Sequence, residues 1–251
     1  MPQVYFIGAG PGDPDLITVK GMKVLGQARV VIYADSLVNP EVLKFAQSGA
    51  EIHKSAAMNL DETTAVIVKA AAEGKLVARL QTGEPSLYGA IGEQMAELDK
   101  LGIDYAVIPG VSSLFASAAA LKTELTIPEV SQTVVITRLA GRTPVPENEA
   151  LHRLAGNGGT LAVFLSSGMV PEVVVELIKG GRVAETPAAV VYRASWPEET
   201  VIRTTVGGLE EAMSKAGITR QALIIIGEVL AAKDKGMISK LYDKEFSHGY
   251  R

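Results

Sequence analysis

The first residues able to do chemistry stand in "VYFIGAGPGDPDLIT", residues 4–18, where an apolar run meets glycines and two carboxylates before a helical pattern begins. A dinucleotide-binding turn needs glycines at its first, third and sixth positions, so that backbone N–H groups can approach a pyrophosphate at a helix N-terminus. Gly8 and Gly10 meet the first two requirements, but Asp13 stands at the third, where a carboxylate repels phosphate. Pro11 and Pro14 each remove an N–H that would bind the anion, and no Gly-Lys-Ser/Thr follows to make a P-loop. The segment therefore predicts a stiff loop at the carboxyl end of a first strand that holds no phosphate. Asp15 is expected to N-cap the next helix, while Asp13 serves either as a cap or as a carboxylate facing a ligand.

Other polar residues also cluster directly after apolar runs. "DSLVNP" follows "VVIYA", "QTGEPSLYG" follows "LVARL" and "PGVSS" follows "YAVI"; the second half adds "TRLAGRTPVP", "LSSGMVP" and "RASWPEE". Glycine, proline, serine and threonine dominate these segments, supplying fixed backbone amides and small hydroxyls but few groups for proton transfer. That composition suits binding of a polar organic cofactor better than hydrolysis, and no side chain stands out as catalytic. The absence of cysteine excludes disulfides, thiolate catalysis and zinc–thiolate sites. His53, His152 and His248 are too dispersed for a local metal box, so no metal site is expected. With 24 Lys and Arg against 28 Asp and Glu, no basic excess points to nucleic acid. No charged leader precedes an apolar segment, and "ALIIIGEVLAA" is too short and interrupted to span a bilayer, so no membrane partner and a cytoplasmic location are expected.

These loops need a scaffold, and the chain supplies it in two stretches. Over residues 1–110, short β-rich runs ("VYFIGA", "VVIYA", "EIHK", "LVARL", "YAVIP") alternate with helical periods at 16–27, 40–47, 61–73 and 88–101. This predicts a doubly wound parallel sheet covered on both faces. A small-residue helix, "SLFASAAALKTEL", leads into a second domain over 111–232 with strands at "TVVITRLA", "TLAVFLSS", "AAVVYRAS", "TVIRTTV" and "ALIIIGEV". The link "SWPEET" is too short for a helical crossover, so its two flanking strands are expected to pair antiparallel, making this a mixed α/β domain. Residues 233–251 are polar and aperiodic and read as a C-terminal tail.

Taken together, "GAGPGDPDLITVKG", "RLQTGEPSLYG", "VIPGVSS" and "LTIP" resemble the tetrapyrrole methylases in order and spacing over nearly the whole chain. This resemblance implies a two-domain α/β fold with S-adenosyl-L-methionine bound in a cleft between the domains, and a homodimer. Carried over by position, the implied cofactor contacts are Pro11, Thr82, Gly83, Glu84, Leu87, Ser112, Ser113, Leu165 and Ala194. Many relatives have Asp where Glu84 stands, which puts more weight on the backbone of that loop than on its carboxylate. Within the family, "YADSLV", "QTVVITRLAGRTPVPE", "LAVFLSS" and "VVYRASWPEETVIRTTV" resemble the branch that methylates C11 of precorrin-4. The ending "LYDKEFSHGYR" resembles the cobalt-containing subgroup, which implies cobalt-precorrin-4 as substrate and cobalt-precorrin-5A as product.

A tetrapyrrole with acetate and propionate arms is polyanionic and calls for cations around it. Arg138 and Arg142 are the preferred partners, with Asp13 beside the trough; Arg79, Arg193 and Arg203 are further candidates, with Arg79 and Arg203 equally compatible with solvated surface charge. Tyr33 and Tyr88 read as packing groups with a hydroxyl at the rim or as proton-handling groups, and Trp196, the one tryptophan, is equally ambiguous. A different ring carbon, the metal-free substrate, and a non-catalytic tetrapyrrole carrier remain as alternatives.

Overall fold

A computed structural model describes residues 2–232; the expected tail, 233–251, lies outside the described residues. The chain divides between Ala116 and Ser117 into two compact units.

The first unit runs β1 (Val4–Gly8), α1 (Val19–Leu25), β2 (Val30–Tyr33), β3 (Glu51–Lys54), α2 (Leu60–Ala72), β4 (Val77–Gln81), α3 (Ile91–Lys100) and β5 (Tyr105–Ile108). Its five strands are parallel, in the order β3-β2-β4-β1-β5. Alternate residues of each inner strand enter two different cores. Val4 and Phe6 of β1 pack with Ile67 of α2 and Leu98 of α3, while Ile7 packs with Leu25 of α1 on the opposite face. A strand buried on both sides must be apolar throughout, which is why these runs do not alternate with polar residues. The expectation of an apolar buried run fails at β3. It lies at the sheet edge with Glu51, Ile52 and Lys54 exposed, and its charges blunt an edge that would otherwise recruit another strand.

Helix entry also departs from expectation at Asp15. Asp13, not Asp15, is the cap: its Oδ1 accepts from the Asp15 N–H at 2.9 Å and starts a single 3-10 turn, Pro14–Leu16. Pro14 takes the first helical position, where its missing N–H costs nothing, so the cap falls on the residue before it. Thr18 then caps α1, accepting from Gly21 N–H at 3.1 Å, and Asp15 pairs with Lys44 at 3.0 Å on the surface. A reciprocal pair between Asn59 and Glu62 opens α2, a cap of about 1 kcal/mol.

Helix α4 (Ser113–Leu121) follows, and the unit division falls within it. The second unit contains β6 (Val134–Arg138), α5 (Leu151–Ala155), β7 (Thr160–Phe164), α6 (Val170–Lys179), β8 (Pro187–Tyr192), β9 (Thr200–Thr205), α7 (Leu209–Lys215) and β10 (Ala222–Ile226). The strand order is β6-β7-β10-β8-β9, with only the β6–β7 pair parallel. The short "SWPEET" link does join an antiparallel pair. Leu161, Val163, Val173, Leu177, Leu209, Met213 and Ile224 form the core between this sheet and its helices. Because β7 and β8 both run opposite to β10, the carboxyl ends of β6, β7 and β8 lie along one edge of the sheet. Among the described residues, no helix is long and apolar enough to cross a membrane.

Candidate active site

Neighbouring strands β1 and β4 send their helices to opposite faces of the first sheet: α1 packs with Leu25 in one core and α3 with Leu98 in the other. The chain therefore parts at their carboxyl ends, the position where open α/β sheets place a ligand crevice. Three loops meet there through glycines. A Cβ on Gly8 would lie 2.5 Å from Gly110 Cα and 2.7 Å from Gly83 O, so the backbones after β1, β4 and β5 touch with no room for a side chain. Gly83 N–H donates to Gly10 O at 2.8 Å, and Ala9 N–H donates to Gln81 O at 2.8 Å. Gly10 and Gly83 have φ of 81° and 59°, values that glycine adopts without steric cost.

Glu84 fastens this junction. Its Oε2 accepts from Gly110 N–H at 2.8 Å and its Oε1 from Ser86 N–H at 3.0 Å. Burial pushes the carboxyl pKa up, but the N–H bonds from Ser86 and Gly110 outweigh it and hold the group below its ordinary value. A carboxylate depressed in the folded state stabilises above its unfolded pKa, and that contribution is lost as pH falls through the folded value. Glu84→Gln is therefore expected to lower the melting temperature at pH 7, by less than about 1 kcal/mol in stability because solvent screens the group. Melts compared at pH 7 and pH 3 check this: the gap between variant and wild type should close on acidification.

Around the junction, Asn39 Nδ2 donates to Gly12 O at 2.9 Å, Thr82 Oγ1 donates to Leu37 O at 3.4 Å, and Ser112 Oγ accepts from Leu114 N–H at 3.2 Å. Pro11, Gly83 and Ser112 are buried, Thr82, Glu84, Leu87 and Ser113 are half-buried, and Asp13 is exposed. The structure thus brings Pro11, Asp13, Thr82, Gly83, Glu84, Leu87, Ser112 and Ser113 to one end of the first sheet. No lysine, arginine or histidine occurs in 8–18, 82–89 or 109–113. A ligand carrying a sulfonium and an ammonium meets no like charge among these residues, so the loops fit S-adenosylmethionine.

In the second unit, Leu165 and Ala194 follow β7 and β8 on the shared edge. Leu165 has a φ of 53° and is 67% exposed, although an apolar side chain in the left-handed region is costly by about 1–2 kcal/mol. Buried Ala194 sits between two further left-handed residues, Arg193 (46°) and Ser195 (66°). In the first unit Tyr88 (56°) and Ala90 (48°) occupy the same region in the loop leading to α3. Strain of this kind concentrates at ligand loops. Sequence reading missed it, because none of these residues is glycine.

The arginines separate sharply. Arg203 is exposed yet engaged: it donates to Leu230 O at 3.2 Å and to Leu121 O, closing the carbonyl end of α4. Arg193 stacks on Tyr192 and Trp196, with ring-centroid distances of 5.6 Å and 4.9 Å, and donates to Gln221 Oε1 at 2.9 Å. Arg138 folds the following loop onto itself through Leu139 O, Thr143 O and Pro144 O, the last at 2.7 Å. Ser166 Oγ, accepting from Leu139 N–H at 2.9 Å, ties that loop to the one bearing Leu165. Arg142, at its exposed tip, makes no hydrogen bond or ion pair with any described residue. Arg79 is buried, the opposite of a solvated charge. Tyr33 is buried as packing.

A cavity of about 230 Å³ lies away from these loops, at the amino ends of β2 and β3, lined by Glu51, His53, Lys69, Glu73 and Lys75 among others. A hydrogen bond between His53 and Glu51 and an ion pair between Lys75 and Glu73 already engage most of its polar groups.

A doubly wound sheet with a glycine-knit switch point, joined in one chain to a mixed sheet, is an architecture shared with known enzymes. Residues 3–210 match the model of the tetrapyrrole (corrin/porphyrin) methylases, and the chain belongs to that family. It is 57% identical to a cobalt-precorrin-4 C(11)-methyltransferase of Methanocaldococcus jannaschii, over 99% of this chain and 96% of the relative. Identity to a cobalt-precorrin-4 C(11)-methyltransferase of Priestia megaterium is 51%, over 99% and 97%. The crystal structure of a cobalt-precorrin-4 methyltransferase, CbiF, superposes with a TM-score of 0.88 at 52% identity, covering 90% of this chain and 95% of that one. A Thermus thermophilus uroporphyrin-III C-methyltransferase complexed with S-adenosylhomocysteine superposes at 0.78 with 31% identity, covering 92% and 94%.

Proposed function

We propose that this chain transfers the methyl group of S-adenosylmethionine to C11 of cobalt-precorrin-4, giving cobalt-precorrin-5A and S-adenosylhomocysteine. The observation that carries this reading is the 57% identity, across almost the full length of both chains, to a protein of that activity. Cofactor contacts are assigned to Pro11, Thr82, Gly83, Leu87, Ser112 and Ser113 of the first unit and Leu165 and Ala194 of the second. Glu84 acts chiefly through the loop geometry it maintains.

When bound, the donor supplies a sulfonium methyl group whose positive charge disappears during in-line displacement. The protein's part is alignment: holding donor and acceptor near 3 Å apart is worth about 7–11 kcal/mol relative to free reactants. A rigid junction of backbone amides is suited to that task, and a strong base is not required by an electron-rich macrocycle carbon. Cobalt enters and leaves as part of the substrate.

For the tetrapyrrole, Asp13 lines the trough, Arg142 offers to a substrate carboxylate a guanidinium that no described residue engages, and Arg138 positions the loop that carries it. Arg142→Ala is expected to raise the tetrapyrrole KM about fivefold to tenfold while leaving the dissociation constant of S-adenosylhomocysteine unchanged. Steady-state kinetics with calorimetry checks this, and a weakened cofactor with an unchanged KM would contradict the assignment. The family resemblance also implies a soluble cytoplasmic homodimer, measurable by sedimentation.

The deciding experiment is anaerobic incubation with a 13C-methyl donor and precorrin-4, with and without cobalt, followed by NMR of the product. Label at C11 of the cobalt-containing product supports the reading. Label on another carbon, or transfer only to the metal-free substrate, points to the alternatives.

A further inference from the structure

Arg79 is a cation without a counter-ion among the described residues. It is 8% exposed, and its guanidinium bonds only neutral groups: Nε to Gln94 Oε1 at 3.0 Å and Nη1 to Ser55 Oγ at 2.9 Å. Burial lowers its pKa to about 10, so it remains charged at neutral pH and carries the cost of lost hydration.

Two residues along β4, on the same face of the sheet by strand alternation, stands Gln81. It is 5% exposed, and its buried Nε2 has no hydrogen-bond partner among the described residues. Buried donors are nearly always paired in folded proteins, and an orphan calls for an explanation. Gln94, which holds Arg79, also donates to Ala90 O at 3.3 Å, in the strained loop that continues from Thr82. The cluster Ser55–Arg79–Gln81–Gln94 thus underlies the carboxyl end of β4, rich in donors and without a carboxylate of its own.

We propose that Arg79 and Gln81 form a carboxylate-binding subsite of the active site, completed only when a ligand supplies the missing acceptor. It rests on the methyltransferase reading, which offers two sources of that chemistry: an acetate or propionate arm of the tetrapyrrole, or the carboxylate of the methionine portion of the donor. A guanidinium N–H and an amide N–H can donate to the two oxygens of one carboxylate.

The test uses the full-length protein with Arg79→Met and Gln81→Leu, titrated separately with S-adenosylhomocysteine by calorimetry and with cobalt-precorrin-4 by anaerobic absorbance. Gln81→Leu removes an unpaired donor and is expected to fold at least as stably as wild type, so it decides the matter even if Arg79→Met does not fold. Loss of a charge-assisted bond should weaken the relevant ligand about 10- to 100-fold in Arg79→Met, and loss of the amide about 3- to 10-fold in Gln81→Leu. Weakening confined to cobalt-precorrin-4 assigns the subsite to the macrocycle; weakening confined to S-adenosylhomocysteine assigns it to the donor. Folded variants that bind both ligands within twofold of wild type overturn the inference. A wild type that binds neither ligand overturns instead the methyltransferase reading and removes the basis of the subsite.

Discussion

Gly110→Ala is expected to unfold the junction of the first unit. A methyl group there would lie 2.7 Å from Gly8 Cα and closer still to Gly83 O, both backbone atoms that cannot rotate away. Overpacking against a side chain costs about 1–3 kcal/mol, and against two main chains the cost falls at or beyond the upper end. At roughly 2–4 °C per kcal/mol for a chain of this size, the melting temperature should drop by about 6–12 °C. Binding of S-adenosylhomocysteine should be lost with it, because the Glu84 anchor to Gly110 N–H must shift. Gly83→Ala is the matched control. Its Cβ would meet nothing nearer than 3.7 Å, so only the left-handed backbone is penalised, by about 1–2 kcal/mol. Thermal melts and calorimetry on the two variants check the contrast. Equal losses would mean that backbone contact is not what makes Gly110 indispensable.

Arg182→Met should produce the largest loss in the second unit. This buried guanidinium donates to Ala155 O at 2.9 Å, Gly158 O at 3.4 Å and Gly159 O at 2.6 Å, closing the end of α5 and the turn into β7. Methionine fills similar space but leaves three carbonyls without their donors, a cost of about 3–5 kcal/mol. Arg182→Lys should fall between, since one ammonium cannot span three acceptors set out for a planar fork. Melting temperatures of the three proteins give the order, and a methionine variant within 2 °C of wild type would contradict it.

Arg182 also illustrates which features the sequence conceals. A guanidinium has the same reach whether it closes a helix, stacks on an indole or awaits a ligand, so residue type alone could not distinguish Arg182, Arg193, Arg142 and Arg79. The strands, by contrast, were legible from runs such as "VYFI" and "TLAVF", because a buried strand needs continuous apolar character. The antiparallel β8–β9 pair was legible from the length of its link. The five-residue α5, "LHRLA", is shorter than the two turns needed to display a helical period. Asp15 was misread as a cap because proline moved the helix start by two residues; β3 stands where "EIHK" predicted a strand, but it is not covered on both faces because an edge strand answers to solvent on its open side. At the site, glycine-rich loops identified the location, but the Gly8–Gly83–Gly110 contact joins residues distant in the chain and becomes visible only when the strand order is known.

That three-glycine contact makes the loops after β1, β4 and β5 mechanically a single part. A force applied to any one of them is passed through main-chain atoms to the other two, with no side-chain rotamer available to absorb it. Diversification of what the enzyme accepts must therefore arise outside this hub, which keeps one shape.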